Sequence, residues 1–226
     1  DILRVKFLVG LFDEPYQTDL EGADKEVEKK ENLEVALQSS RESLVLLKNE
    51  QNTLPLNLSE IKKIAVCGPN ADESSYALSH YGPLAVDVVT VLQGIKNKVK
   101  DKAEVLYAKG CELVDDNWPE SELIDYPLTE QEKNEIDKAV ANVNQADVAV
   151  VVLGGGQRTC GENKSRSSLE LPGRQLDLLK AVYATGKPVV LVLVNGRPLS
   201  INWADKFVPA ILEAWYPGSK GGIAVA

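Results

Sequence analysis

Methionine is absent from the 226 residues, and histidine occurs once, at His80. One histidine cannot build a His-based metal centre, and the lack of any GxSxG turn removes the nucleophile elbow of a Ser-His-Asp hydrolase. His80 then reads as a structural residue. The three cysteines, Cys67, Cys111 and Cys160, are too few for a disulfide scaffold and lack CxxC metal spacing. Cys67 sits inside an apolar run and reads as a small buried hydrophobe, while a Cys111 to Cys160 bridge stays open. Positive charge is also short: 34 Asp and Glu against 25 Lys and Arg give a net charge of -9, which argues against nucleic acid as a partner. Apolar runs stop well below the roughly 18 residues needed to cross a bilayer, so no membrane partner is expected. Nucleotide binding lacks its loop too. GxGxxG would need glycine where Thr159 stands, and GKS or GKT does not occur. Neither a metal nor any other cofactor is implied.

What is present is enough apolar residue, 44%, for one large domain. The chain opens on Asp1 and stops at Ala226 within the apolar stretch GGIAVA, and both ends read as interior to a longer polypeptide. Residues 1–26 mix apolar and basic residues with Pro15, Gly22 and acids, the composition of a linker from a preceding domain. Residues 27–226 read as the domain proper, truncated at its C-terminus. From Val27 to Lys48 the set Leu33, Ala36, Leu37, Leu44 and Leu47 follows a 3.6-residue period and predicts a long amphipathic helix.

Beyond it, strands and helices alternate as a parallel sheet requires, since parallel neighbours need crossovers and strands buried on both faces are continuously apolar. The predicted strands are KIAVCG (63–68), AEVLYA (103–108), DVAVVVLG (147–154), PVVLVLVNG (188–196) and AILEAWY (210–216). Thr129 with Glu132 forms a capping box opening a helix before the third strand; a second helix follows from near Gly173 to Gly186. The expected fold is α/β: a doubly wound, mostly parallel sheet of five or six strands with helices on both faces, a three-layer α/β/α sandwich.

Ligands of such sheets bind beyond the carboxyl ends of the strands. There the stretch Gly154–Ser168 is long against the roughly 2 to 6 residues usual for a strand-to-helix connection, and long loops in compact domains carry function. It offers Arg158, Glu162, Asn163, Lys164, Arg166 and several serines. Glu162 suits a proton donor, but glycoside hydrolysis needs two carboxyl groups about 5 to 10 Å apart, so a second would come from elsewhere.

At this point the order of segments is informative. SRESLVLLKNEQNTLPL, KIAVCGPNA, VVTVLQGI, YAKGC, ADVAVVVLG, GENKSRSSLELPGRQ, GKPVVLVLVNGRPL and AILEAWYPGSKGG, preceded by RVKFLVGLFDEPY, resemble the family 3 glycoside hydrolases. The likeness is to the α/β sandwich domain that follows their catalytic barrel. It implies retaining hydrolysis of β-linked glucosides or xylosides by a parent enzyme, with the nucleophilic aspartate on a barrel outside this chain. The isolated piece would then be inactive. The resemblance implies Glu162 as acid/base, with Arg158, Lys164, Arg166 and Tyr81 as substrate-binding residues; SSYALSHYGP departs from the family's GDYS-like stretch there, so Tyr81 and His80 are read either as lip residues or as packing at the domain edge. Adjacent cations oppose the protonated form a general acid needs, so Arg158, Lys164 and Arg166 are expected to turn mostly towards sugar hydroxyls or other carboxylates such as Glu170. Gly155 stands where some relatives carry a carboxylate, which leaves Glu162 as the candidate. The implied partners are a β-linked oligosaccharide and the barrel of the same chain, and family habit places the parent in the periplasm or outside the cell. The competing reading is a structural or carbohydrate-binding domain with no catalytic residue.

Overall fold

The computed structural model describes residues 1–13, 19–27, 29–78, 81–82 and 86–226, so His80 lies outside the described residues. The chain divides into two compact units, Asp1–Ala36 and Leu37–Ala226. The first holds α1 (Ile2–Leu8), α2 (Leu20–Val27) and the start of α3 (Lys30–Ser43). Segment 2–8, ILRVKFL, has neither glycine nor proline to oppose a helix, although its apolar side chains stay exposed.

In the second unit a six-stranded sheet runs in the order β1-β6-β5-β4-β2-β3. The five predicted strands are β2 (Lys63–Cys67), β3 (Glu104–Ala108), β4 (Val148–Gly154), β5 (Val189–Val194) and β6 (Ala210–Glu213), all mutually parallel where they pair. The sixth corrects the long helix expected over residues 27–48. Helix α3 ends at Ser43, and β1 (Val45–Asn49) pairs antiparallel with β6 from Val45↔Glu213 to Asn49↔Ala210. The apolar residues of VLLKN fit a helical period and a strand equally. The unpaired edge of β6 decides between them, because a strand laid there satisfies backbone groups that a helix would leave open.

Alternation along the strands builds two cores. Val148, Val150 and Val152 of β4 face α5 (Val91–Val99), the helix that follows the short α4 (Ser74–Ala77), through Leu92, Ile95 and Val99. Ala149, Val151 and Leu153 face α6 (Glu130–Asn144), α7 (Gln175–Tyr183) and α8 (Asn202–Phe207). Every residue of β4 and β5 is buried, as expected of central parallel strands covered on both faces. No helix among the described residues is long and apolar enough to cross a membrane.

The capping box of α6 is formed: Thr129 Oγ1 accepts from Glu132 N at 3.2 Å, and Thr129 N donates to Glu132 Oε2 at 2.8 Å. Thr129→Ala is expected to cost about 1 kcal/mol of stability, measurable as a lower urea midpoint at unchanged slope. At the carboxyl end of the sheet Gly154 has φ +147°, and a Cβ there would lie 2.0 Å from the Val194 carbonyl oxygen. Only glycine lets β4 turn this close to β5 and pass into the long loop.

Candidate functional site

The loop after β4 starts from a fixed base. Gln175, fully buried at the start of α7, accepts from Gly154 N through Oε1 at 2.8 Å, and its Nε2 donates to the carbonyls of Gly154 and Leu113, each at 2.9 Å. Asn70 Nδ2, from the loop after β2, donates to the Gly155 carbonyl at 2.7 Å. Buried Thr159 then folds the chain back, its Oγ1 accepting from Gly156 N at 3.0 Å while Cys160 N donates to the Gly156 carbonyl at 3.0 Å.

Glu162 follows at the tip of a tight turn closed by Lys164 N donating to Gly161 O at 3.3 Å. Gly161 (φ +130°) and Asn163 (φ +57°) flank it in the left-handed region, which glycine and asparagine tolerate best. The result is an exposed carboxyl on a turn whose backbone is held: Glu162 N donates to the Tyr81 hydroxyl at 3.1 Å, and Arg197 Nη2 donates to the Lys164 carbonyl at 2.9 Å. Tyr81 and Glu162, 81 residues apart in sequence, are thus brought into direct contact.

The expected substrate-binding cations differ in their commitments. Arg166 is a correction. Its Nε hydrogen-bonds Glu122 Oε1, its Nη2 donates to the Glu170 carbonyl at 2.8 Å, and its side chain is 2% exposed, so it holds the loop instead of facing a ligand. Glu170 takes part through its carbonyl and not its carboxylate. Arg158 is exposed and lies over the Trp118 ring, 5.6 Å from its centroid. Lys164 is partly buried and makes no ion pair among the described residues.

Glu122 was invisible to sequence reasoning. It sits in ESELIDYP, a stretch without period or motif. Its side chain is 3% exposed, and its Oε2 accepts from Ser167 N and Ser167 Oγ, both at 2.8 Å. Burial alone would raise its carboxyl; the hydrogen bonds from Arg166 and Ser167 and the Arg166 charge outweigh that and bring it from 4.5 to about 2. A folded-state value below the unfolded one stabilises the fold above the unfolded value and loses that stabilisation as pH falls through the folded one. Stability is therefore expected to decline between pH 4.5 and about 2 with a contribution that a Glu122→Gln variant lacks, as followed by urea unfolding against pH.

Neighbouring strand ends complete the rim. Burial pushes the Glu213 carboxyl up, opposed by hydrogen bonds from Trp215 N and Asn195 Nδ2. Trp215 is held there at φ +55° with 44% of its surface exposed. The three cysteines are free, so Cys111 and Cys160 are not bridged. Cys111 is buried, and burial pushes the Tyr216 phenol up, with the neighbouring Cys160 thiol adding to the rise. Within Gly154–Ser168 the single acidic residue is Glu162, exposed on a turn whose backbone is held.

Comparison with known proteins identifies the fold and its lineage. The profile of the glycosyl hydrolase family 3 C-terminal domain matches residues 44–226. Over its whole length the chain is 40% identical to a β-xylosidase of Formosa agariphila and 41% identical to a periplasmic β-glucosidase of Salmonella typhimurium. It spans only 30% and 31% of those two proteins. A solved β-glucosidase from Erythrobacter marinus superposes with a TM-score of 0.81 at 37% identity, covering 96% of this chain and 30% of that one. A β-glucosidase from Listeria innocua, solved in complex with isofagomine, gives 0.81 at 30% identity over 99% of this chain and 29% of its own. The chain belongs to glycoside hydrolase family 3, and what it carries is that family's C-terminal α/β domain.

Proposed function

We propose that this chain completes the sugar site of a catalytic barrel in the same parent polypeptide, and that Glu162 is the general acid/base of the resulting retaining β-glycoside hydrolase. The observation that supports the reading is the placement of Glu162: an exposed carboxyl at the tip of a turn, on a loop otherwise tied down, at the carboxyl end of a parallel sheet where ligands of such folds bind. The names of the two curated relatives support β-glucosides or β-xylosides as substrates.

In the first step the Glu162 carboxyl gives its proton to the glycosidic oxygen as the C–O bond breaks, and an aspartate of the barrel takes the anomeric carbon as a glycosyl ester. In the second step the Glu162 carboxylate takes a proton from water as that water attacks the anomeric carbon, displacing the barrel aspartate as its carboxylate and releasing the sugar with its configuration retained. Retention requires the two carboxyl groups to stand about 5 to 5.5 Å apart across the substrate, so the turn must project into the barrel mouth. Arg158, Lys164 and Tyr81 flank the turn and are offered to sugar hydroxyls; Arg166 is not. Without the barrel nucleophile the isolated chain is inactive. A periplasmic or secreted parent is supported by the Salmonella relative. The test is the leaving-group dependence of hydrolysis in a Glu162 variant of the full-length enzyme. Equal loss for good and poor leaving groups would instead favour a bracing or sugar-binding domain.

A further inference from the structure

We infer that Glu122 is a positioning residue for the acid/base, holding Glu162 in place by pinning the downstream flank of its loop onto one buried carboxylate; this rests on the role proposed for Glu162. On the downstream flank Glu122 accepts from Arg166 Nε, from Ser167 N and Oγ, and from Ser168 N at 3.3 Å. Within its own segment it also accepts from Trp118 Nε1 at 3.4 Å, and the Arg158 guanidinium of the upstream flank lies over the Trp118 ring, 5.6 Å from its centroid. Glu162 lies between Arg158 and Arg166. A carboxylate offers about four lone-pair directions, and five donors crowd them here, two at Oε1 and three at Oε2. Glu122 is therefore not available to substrate or to a metal, and acts only through the loop.

The anchor itself is rigid. The stretch between β3 and α6 that carries Glu122 is held near its start by Gln175 Nε2 on the Leu113 carbonyl. Near its end Arg174 donates to the carbonyls of Tyr126 and Pro127 at 2.9 and 3.2 Å. Two consecutive residues opening α7 thus fix both ends of the segment, and Glu122 passes that rigidity across 44 to 46 residues of sequence to the turn. A proton donor must lie within about 3 Å of the atom it serves, and a displacement near 1 Å can cost about a hundredfold in rate. A surface turn of this length has no core of its own to supply that precision.

The experiment uses the full-length enzyme with Glu122→Gln, Glu162→Gln and the double variant, assayed on an activated aryl glycoside and on an alkyl glycoside of the same sugar. Glu122→Gln is expected to lower kcat/KM, which reports the bond-breaking step, about a hundredfold on the alkyl glycoside and far less on the aryl glycoside, and to add nothing on the Glu162→Gln background. Equal slowing of both substrates, or equal slowing with and without the Glu162 carboxyl, makes Glu122 a general fold residue and overturns the inference. Should Glu122→Gln not fold, Ser167→Ala removes a single donor and is expected to show the same substrate pattern at smaller size; wild-type kinetics there would also overturn it. Failure of the acid/base reading looks different, because Glu162→Gln alone would then show no leaving-group dependence.

Discussion

Replacement of Glu162 by alanine in the full-length enzyme is expected to slow glycosides with poor leaving groups by about 10² to 10⁴-fold, the range that a positioned proton donor contributes. An alkoxide leaves only if it is protonated as the bond breaks, whereas a nitrophenolate is stable enough to leave unaided. The first step on an aryl glycoside should therefore survive the substitution. The second step should not, because it needs the same residue as a base, so the glycosyl-enzyme accumulates and a burst of phenolate precedes slow turnover. Azide, which needs no deprotonation to attack, should restore turnover on the aryl substrate and yield a β-glycosyl azide. If azide gives neither rate nor product, and both substrates lose rate equally, Glu162 is not the acid/base and the chain braces its parent without chemistry.

Gln175→Leu should bring the largest loss of stability of any single polar side chain in the second unit, about 3 to 5 kcal/mol. Leucine matches the volume of glutamine but leaves the Gly154 N–H and the carbonyls of Gly154 and Leu113 without their partner in a fully buried site. Each orphaned buried group costs about 1 to 3 kcal/mol, and none can reach water without opening the end of β4. Urea unfolding of the variant measures the loss, and a change under about 1 kcal/mol would mean that the loop rearranges to satisfy itself. Because Gln175 also sets the start of the Glu162 loop, a folded variant of the full-length enzyme is expected to lose kcat more than KM.

Much of this arrangement was legible in the chain. Strands β2, β4 and β5 are apolar runs bounded by turn residues, and burial on both faces of a parallel sheet leaves little room for another pattern. Thr129 and Glu132 sit at the spacing at which cap and backbone satisfy each other, so the start of α6 could be placed to the residue. The length and composition of the loop after β4 single it out as a place for function, and the family resemblance names Glu162 within it. Residues 45–49 were misread because five residues of mixed apolar character fit either period, and the deciding partner, the β6 edge, lies more than 160 residues away.

By itself, then, the sequence determined the α/β class, the central strands, the cap of α6 and the residue types at the candidate site. Those are consequences of hydrophobic period and local hydrogen bonding, both of which act within a few residues. Only the tertiary structure decided what the charges do. Arg158, Lys164 and Arg166 were equivalent as letters around Glu162. Packing against the segment after β3 turned one inward onto Glu122 and laid another over Trp118, while Arg197, after β5, took the carbonyl of the third. An arginine's partner is set by which buried carboxylate the fold brings within about 3 Å, and no local pattern in the chain carries that distance.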